Sequence, residues 1–392
     1  MPQSDYVLAT RIFAPEIGAA AFRLKALARA LARTQSVRVM TGKLPAEVED
    51  IEIPGVEISR AAVKRDKEGF VRGLLEYPSF DIPLFFRLLF ARNFCIAISE
   101  PPPTTGLIVR AACALRKRPY VYYAADIWTD AAKTVAPDFV VSAVSWLERL
   151  VLRGATGIIA VNDGVASRVK DLGGRNVVSI QNGTDTEVFS PDVPDLTQAE
   201  KAAMGIKGKY FVYAGTVSEI HAAVIFARAI RELPELSDYQ VLYLSQGREL
   251  AEIESIAEES GGQIIISPLL PAVEAARWQK GAVACLASLK PNQGYDFADA
   301  TKVYAAWACG SPIVYAGIGP AVAEIQSNDL GEYAEEFTST AVAEAMLRVS
   351  RLDNPKDRVR IREWVVANRS MSVTGVAAAE FVESCVHRYK QT

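Results

Sequence analysis

Only two histidines, His221 and His387, occur among 392 residues. A histidine-based metal cage is therefore not expected, and no Asp-x-Asp pair stands in for one. The five cysteines, Cys95, Cys113, Cys285, Cys309 and Cys385, show no CxxC spacing. Most of them lie in apolar or small-residue runs, so they read as reduced core thiols of a cytoplasmic protein. No run approaches the roughly 18 apolar residues of a membrane span. The opening MPQSDYVLATRIFAPEIG lacks the basic start of a signal peptide. An excess of one charge is missing too: 43 Lys and Arg face 46 Asp and Glu, a formal net charge of -3. That balance, without a basic-aromatic motif, gives no reason to expect nucleic acid as a partner.

What is present is a large apolar fraction, 50% of the residues, in a chain longer than one core of roughly 250 to 300 residues supports. Two domains are expected. DYVLA (5–9) reads as a strand buried on both faces, and a loop with Pro15 and Gly18 follows it. In AAAFRLKALARALART, Leu24, Leu27 and Leu31 recur at helical spacing, and SVRVMTG gives a second strand. The opening is thus βαβ, which implies a parallel sheet. Strand candidates recur at 94–99, 120–123, 157–161 and 177–180. After a stretch rich in Asp, Thr and Pro they resume at 210–215, 241–245, 264–267, 282–287 and 312–315, with a long helix expected from about His221 to Leu233. The predicted fold class is α/β, two doubly wound Rossmann-like domains facing across a cleft. Their expected extents are 1–185, a linker at 186–205, and 206–368. A helix at 369–392 is expected to pack back on the first domain. Ligands of such sheets bind at the carboxyl ends of the strands.

Several segments, in order, resemble the retaining glycosyltransferases of the two-Rossmann type, the GT-B fold, and within it family 4. FAPEIGAAAFRLKALARAL resembles the first loop and helix, whose glycine, here Gly18, approaches the donor phosphates. SEPPPTTGLIVRAACALRKRPYVYYAADIWTD looks like the branch of O-antigen and capsule enzymes, with Asp126 and Trp128 filling its Asp-x-Trp segment. IQNGTDTEVFSP is similar to the interdomain signature, filled by Asn182, Gly183, Asp185, Phe189 and Pro191. YAGTVSEIHAAVIFARAIREL occupies the place of the Gly-Arg loop and its helix.

The resemblance implies transfer of a sugar from a nucleoside-diphosphate donor of UDP or GDP type, with no further cofactor. The acceptor would be a carbohydrate, a lipid-linked sugar or a small molecule. Asp126 is the implied catalytic residue and Trp128 lies on the acceptor side. The chain departs from the family at its donor site. The Glu-x7-Glu pair falls on Phe297 and Ala305, and the Gly-Arg…Lys pair falls on Thr216 and His221 after Gly215. A ribose without its carboxylate forfeits on the order of 1.5 to 3 kcal/mol. Candidates to compensate are Asp296 and Asp299 for the sugar or ribose, and Lys290, Lys302 and Arg248 for the diphosphate. Gly317 and Gly319, in the turn before a helix, permit close backbone approach.

Two further readings follow. A catalytically impaired GT-B protein that binds or stabilises another glycosyltransferase would also explain the missing carboxylates. The segment 63–94 mixes Lys and Arg with Phe, Tyr and Leu. It reads as a helix packed on the first sheet or as a peripheral contact with the inner face of a membrane. The even spread of its apolar residues favours the packed helix.

Overall fold

The computed structural model describes residues 5–391 apart from 17, 67–68, 74, 134–135, 294–295, 297–299 and 352–353. The chain divides into two compact units, Met1–Asn182 with Met371–Thr392, and Gly183–Ser370.

The first unit contains β1 (Asp5–Ala9), α1 (Ala19–Leu31), β2 (Val37–Gly42), β3 (Val56–Ala61), α2 (Glu76–Leu89), β4 (Phe94–Ser99), α3 (Pro103–Arg116), β5 (Tyr120–Ala124), α4 (Trp128–Lys133), α5 (Asp138–Gly154), β6 (Gly157–Ala160), α6 (Asp163–Asp171) and β7 (Val177–Ser179). Its seven parallel strands lie in the order β3-β2-β1-β4-β5-β6-β7. Successive strands step one way from β1 to β3 and the other way from β4 to β7. Right-handed crossovers therefore put α1 on one face of the sheet and α2, α3 and α5 on the other. The strands β1, β2 and β5 are buried at every position, as strands covered on both faces must be.

The second unit continues with α7 (Gln198–Met204), β8 (Lys209–Ala214), α8 (Val224–Ala229), β9 (Tyr239–Leu244), α9 (Leu250–Glu258), β10 (Ile264–Ser267), α10 (Ala272–Gly281), β11 (Cys285–Ser288), α11 (Lys302–Ala308), β12 (Ile313–Ala316), α12 (Pro320–Asn328), β13 (Gly331–Ala334), α13 (Ser339–Ser350) and α14 (Pro355–Arg369). Its strand order is β10-β9-β8-β11-β12-β13, all parallel. Tyr210 and Val212 face one core while Phe211 and Tyr213 face the other, the period of two that a strand imposes. Residues 186–205 lie against this unit: Arg362 donates to Thr186 O and Phe189 O, and Arg277 pairs with Glu200 at 2.8 Å. The last helix, α15 (Met371–Gln391), belongs to the first unit and packs on α1, so closely that a Cβ at Gly375 would lie 2.7 Å from Ala26 O.

Both sheets match the expected α/β class, and the structure adds what periodicity did not reveal. β3 (VEISRA) and β13 (GEYA) are edge strands carrying polar residues, with few fully buried positions. Strands covered on fewer sides need no apolar run. The helix after β8 is shorter than the spacing predicts. Ala222 adopts a positive φ of 46°, so α8 starts only at Val224 and His221 stays in the loop.

Candidate functional site

In each sheet the direction of winding reverses between two adjacent strands, β1 and β4 in the first unit and β8 and β11 in the second. The loops beyond the carboxyl ends at such a reversal are where ligands of open sheets bind.

In the second unit, Gly215 follows β8 with φ 133°, a conformation that side chains rarely adopt. Lys302, the first residue of α11, crosses over this glycine. Its Nζ donates to Tyr213 Oη at 2.6 Å and to Thr216 O at 3.0 Å, and it lies 4.7 Å from the Tyr213 ring centre. Burial pushes the Lys302 ammonium down to about 7, and the charge of Glu249 opposes that shift. Glu249 is half-buried and accepts the Ala223 N–H at 2.9 Å; its burial raises its carboxyl above the usual range. His221 Nδ1 sits 2.8 Å from Ser218 Oγ. Burial first, and the Lys302 charge second, push its imidazole down to about 4, so it is neutral near pH 7. His221 is thus available as a neutral hydrogen-bonding group, not as the cation its place in the motif suggested.

The other donor-side candidates separate. The Lys290 side chain is exposed, while its N–H donates to Ile220 O at 2.8 Å and ties the His221 loop to the end of β11. Gly317 and Gly319 have φ of 144° and 103°, and a Cβ at either would run into the carbonyl oxygen of Leu289 or Asp296. These glycines seat the β12–α12 turn against the connection between β11 and α11. Gly319 also stands at the start of α12. The Asp296 carboxylate accepts the Asn292 N–H at 2.9 Å within its own loop. Asp299 and Phe297 lie outside the described residues. Ala305 is half-buried on α11, one turn beyond Lys302.

In the first unit, Asp126 is exposed in the turn after β5, and its carboxylate has no hydrogen-bond partner among the described residues. The surrounding protein still raises its pKa through desolvation, with the Arg23 charge opposing. It does not cap the helix that follows. Glu148, buried on α5, takes that role by accepting Trp128 N at 2.8 Å, Thr129 N at 3.0 Å and Thr129 Oγ1 at 2.6 Å. The Trp128 ring meets Tyr77 edge to face with centres 6.0 Å apart, and Arg11 lies over the Tyr77 ring at 4.6 Å. Arg23 pairs with buried Glu100 at 3.0 Å, and Thr10 Oγ1 donates to the same carboxylate at 2.8 Å. Gly18 precedes α1 in an extended conformation, and a Cβ there would meet no atom within 4 Å. Neither backbone geometry nor packing requires glycine at that position.

Sequence reasoning missed Tyr213, Glu249, Tyr77, Arg23 and Glu100. Tyr213 reads as core in YFVYAG, and Glu100 was visible only as part of SEPPP. Among the described residues, no three or more His, Cys, Asp or Glu side chains are grouped to hold a metal ion.

Two parallel doubly wound sheets of this order constitute the GT-B fold, and known structures share it over almost the whole chain. Sucrose-phosphate synthase from Thermosynechococcus elongatus matches with a TM-score of 0.71 at 14% identity, covering 98% of this chain and 100% of that one. A glycosyltransferase from Rickettsia africae matches with 0.72 at 12% identity over 98% and 99%. Anabaena Alr3699/HepE, solved in complex with UDP and glucose, matches with 0.69 at 15% identity over 97% and 100%. No curated protein sequence matches the chain. Residues 18–183 match the glycosyl transferase 4-like domain. The protein therefore has the GT-B fold, and residues 18–183 of its first unit are similar to the glycosyl transferase 4-like domain.

Proposed function

We propose that the protein is a retaining, metal-independent glycosyltransferase that moves a sugar from a nucleoside-diphosphate donor, of UDP or GDP type, to an acceptor hydroxyl. The observation that carries this reading is the placement of Lys302 on the Gly215–Thr216 turn, which supplies a cation where the family's basic pair is absent. In this reading Lys302 and the start of α12 meet the diphosphate, and His221 adds a neutral hydrogen bond. The C1–O bond to the diphosphate breaks as a C1–O bond to the acceptor forms on the same face of the sugar, which retains the configuration at C1, and the acceptor's hydroxyl proton passes to Asp126. A carboxylate with a raised pKa and no hydrogen-bond partner among the described residues suits that role. HepE, which binds UDP and glucose, offers a parallel for the donor class.

Ala305, which provides no carboxylate on α11, favours a second reading in which the protein is catalytically impaired and binds or stabilises another glycosyltransferase. A thermal-shift titration with UDP, GDP and TDP, followed by a transfer assay with the stabilising nucleotide's sugars, tests both. A ligand held only by the folded protein at about 100 times its Kd stabilises it by about 2.7 kcal/mol. If no nucleotide raises Tm, the proposed donor site is wrong. If one does while its sugars are neither transferred nor hydrolysed, the binding reading holds.

A further inference from the structure

We infer that the outer face of the α2–α3–α5 layer docks the protein on an anionic bilayer surface. The inference rests on what this layer exposes, independently of the donor site. On α2 the buried stripe is Phe80, Asp81, Leu84 and Leu88. A second apolar stripe faces solvent, with Ile82 58%, Phe86 53% and Phe90 79% exposed at spacings of four, and Leu75 66% exposed just before the helix. The apolar residues of this segment are spread too evenly to mark a single face, and in the structure they mark two. α3 packs between α2 and α5 and exposes Leu115. On α5, Phe139 and Trp146 are 76% and 66% exposed, seven residues apart and so on one side of the helix.

Cations outnumber carboxylates on this face. Among the described residues, the exposed positions of α2, α3 and α5 include a single carboxylate, Asp138; Glu76 is half-buried. Cations border the apolar residues: Lys117 just past α3, Arg149 and Arg153 on α5, and Arg92 just past α2, the last shared with Glu57 at 3.3 Å. The opposite layer differs, because α15 covers α1 and exposes Glu380, Arg388 and Lys390 of both signs. A protein partner would be expected to present carboxylates to these cations at fixed points. The spacing of cations around several separate bulky apolar side chains suits a headgroup layer into which the rings insert. Among the described residues no helix is long and apolar enough to cross a membrane, so the contact is at the surface.

The test is co-sedimentation of the full chain with vesicles of phosphatidylcholine containing phosphatidylglycerol, and with vesicles of phosphatidylcholine alone. Binding is expected to the anionic vesicles, with release by salt. The exposed double substitution Phe86→Ser with Phe90→Ser should weaken it roughly tenfold or more, and Lys117→Glu by about fivefold or more. Trp146 fluorescence, taken as the difference from Trp146→Phe, should be quenched by brominated lipid. All of these positions are exposed, and an unchanged Tm confirms that the variants fold. Equal binding to both vesicles, no binding to either, or binding indifferent to these substitutions overturns the proposal. So does self-association in solution that Phe90→Ser abolishes when vesicles are not bound, because the face would then join two copies. Nucleotide-induced thermal shifts are read separately and stay the same whichever way this test falls.

Discussion

Gly215 and Lys302 are fitted to each other: a Cβ on the glycine would lie 2.6 Å from Cε of the lysine, whose Nζ is anchored 3.0 Å from Thr216 O. The absent side chain and the positive φ are both needed to bring a cation from α11 onto the turn after β8. Gly215→Ala is expected to displace Lys302 and to store backbone strain of roughly 1 to 3 kcal/mol. The loss should appear as a lower Tm and about tenfold or weaker nucleotide binding in the same thermal titration. Unchanged affinity would separate the glycine from the donor site.

Lys302 makes donor binding depend on pH. Its folded-state pKa is lowered from 10.5 to about 7, so between these values the unfolded chain carries the extra proton. This group's contribution to stability therefore rises with pH across that window. A diphosphate prefers the protonated form, so binding should weaken as pH rises above about 7 and should take up a proton. Glu249 favours the cation, whereas His221 and Tyr213 are neutral neighbours at that pH. Calorimetry in two buffers of different ionisation enthalpy measures the uptake. Lys302→Met should remove it and cost roughly ten- to hundredfold in affinity.

Ala305→Glu tests whether the ribose side of the site survives. The substitution adds a carboxylate one turn beyond Lys302 on α11. Nucleotide binding roughly tenfold tighter would mark a site that lost one group and kept its shape. No change would mean that the ribose is held elsewhere.

Asp126→Asn should lower transfer by roughly a hundredfold or more and leave nucleotide binding intact, since Asp126 belongs to the first unit and its proposed role is proton acceptance. Glu148→Ala acts differently. It leaves two N–H groups and a hydroxyl at the start of α4 without their acceptor, at about 1 to 3 kcal/mol for each group left buried. Its signature is a fall in Tm, with Trp128 loosened beside Tyr77. If Asp126→Asn lowers Tm as much and spares turnover, the two roles have been exchanged.

Local pattern was enough to read the alternation of buried strands and amphipathic helices, and hence two parallel sheets. Each central strand must be apolar on both faces, so DYVLA, FCIAIS and PIVY announce themselves. Edge strands such as β3 and β13 escaped because partial burial demands no such pattern. The family resemblance reached Gly215, Thr216 and His221, and the expected carboxyl ends of the second sheet reached Lys302, each as a separate position.

The sequence by itself determined the α/β architecture, the order of the family-like segments and the absence of a carboxylate at 305. Tertiary structure alone decided that Lys302 rests on Gly215 although 87 positions separate them. It also decided that His221 is neutral, that Glu148 rather than Asp126 holds the start of α4, and that α2 turns a second apolar stripe outward. The reason is common to all four: hydrogen bonding, desolvation and exposure depend on which loops and helices converge in space. Residue spacing along one element constrains only the face on which a side chain begins.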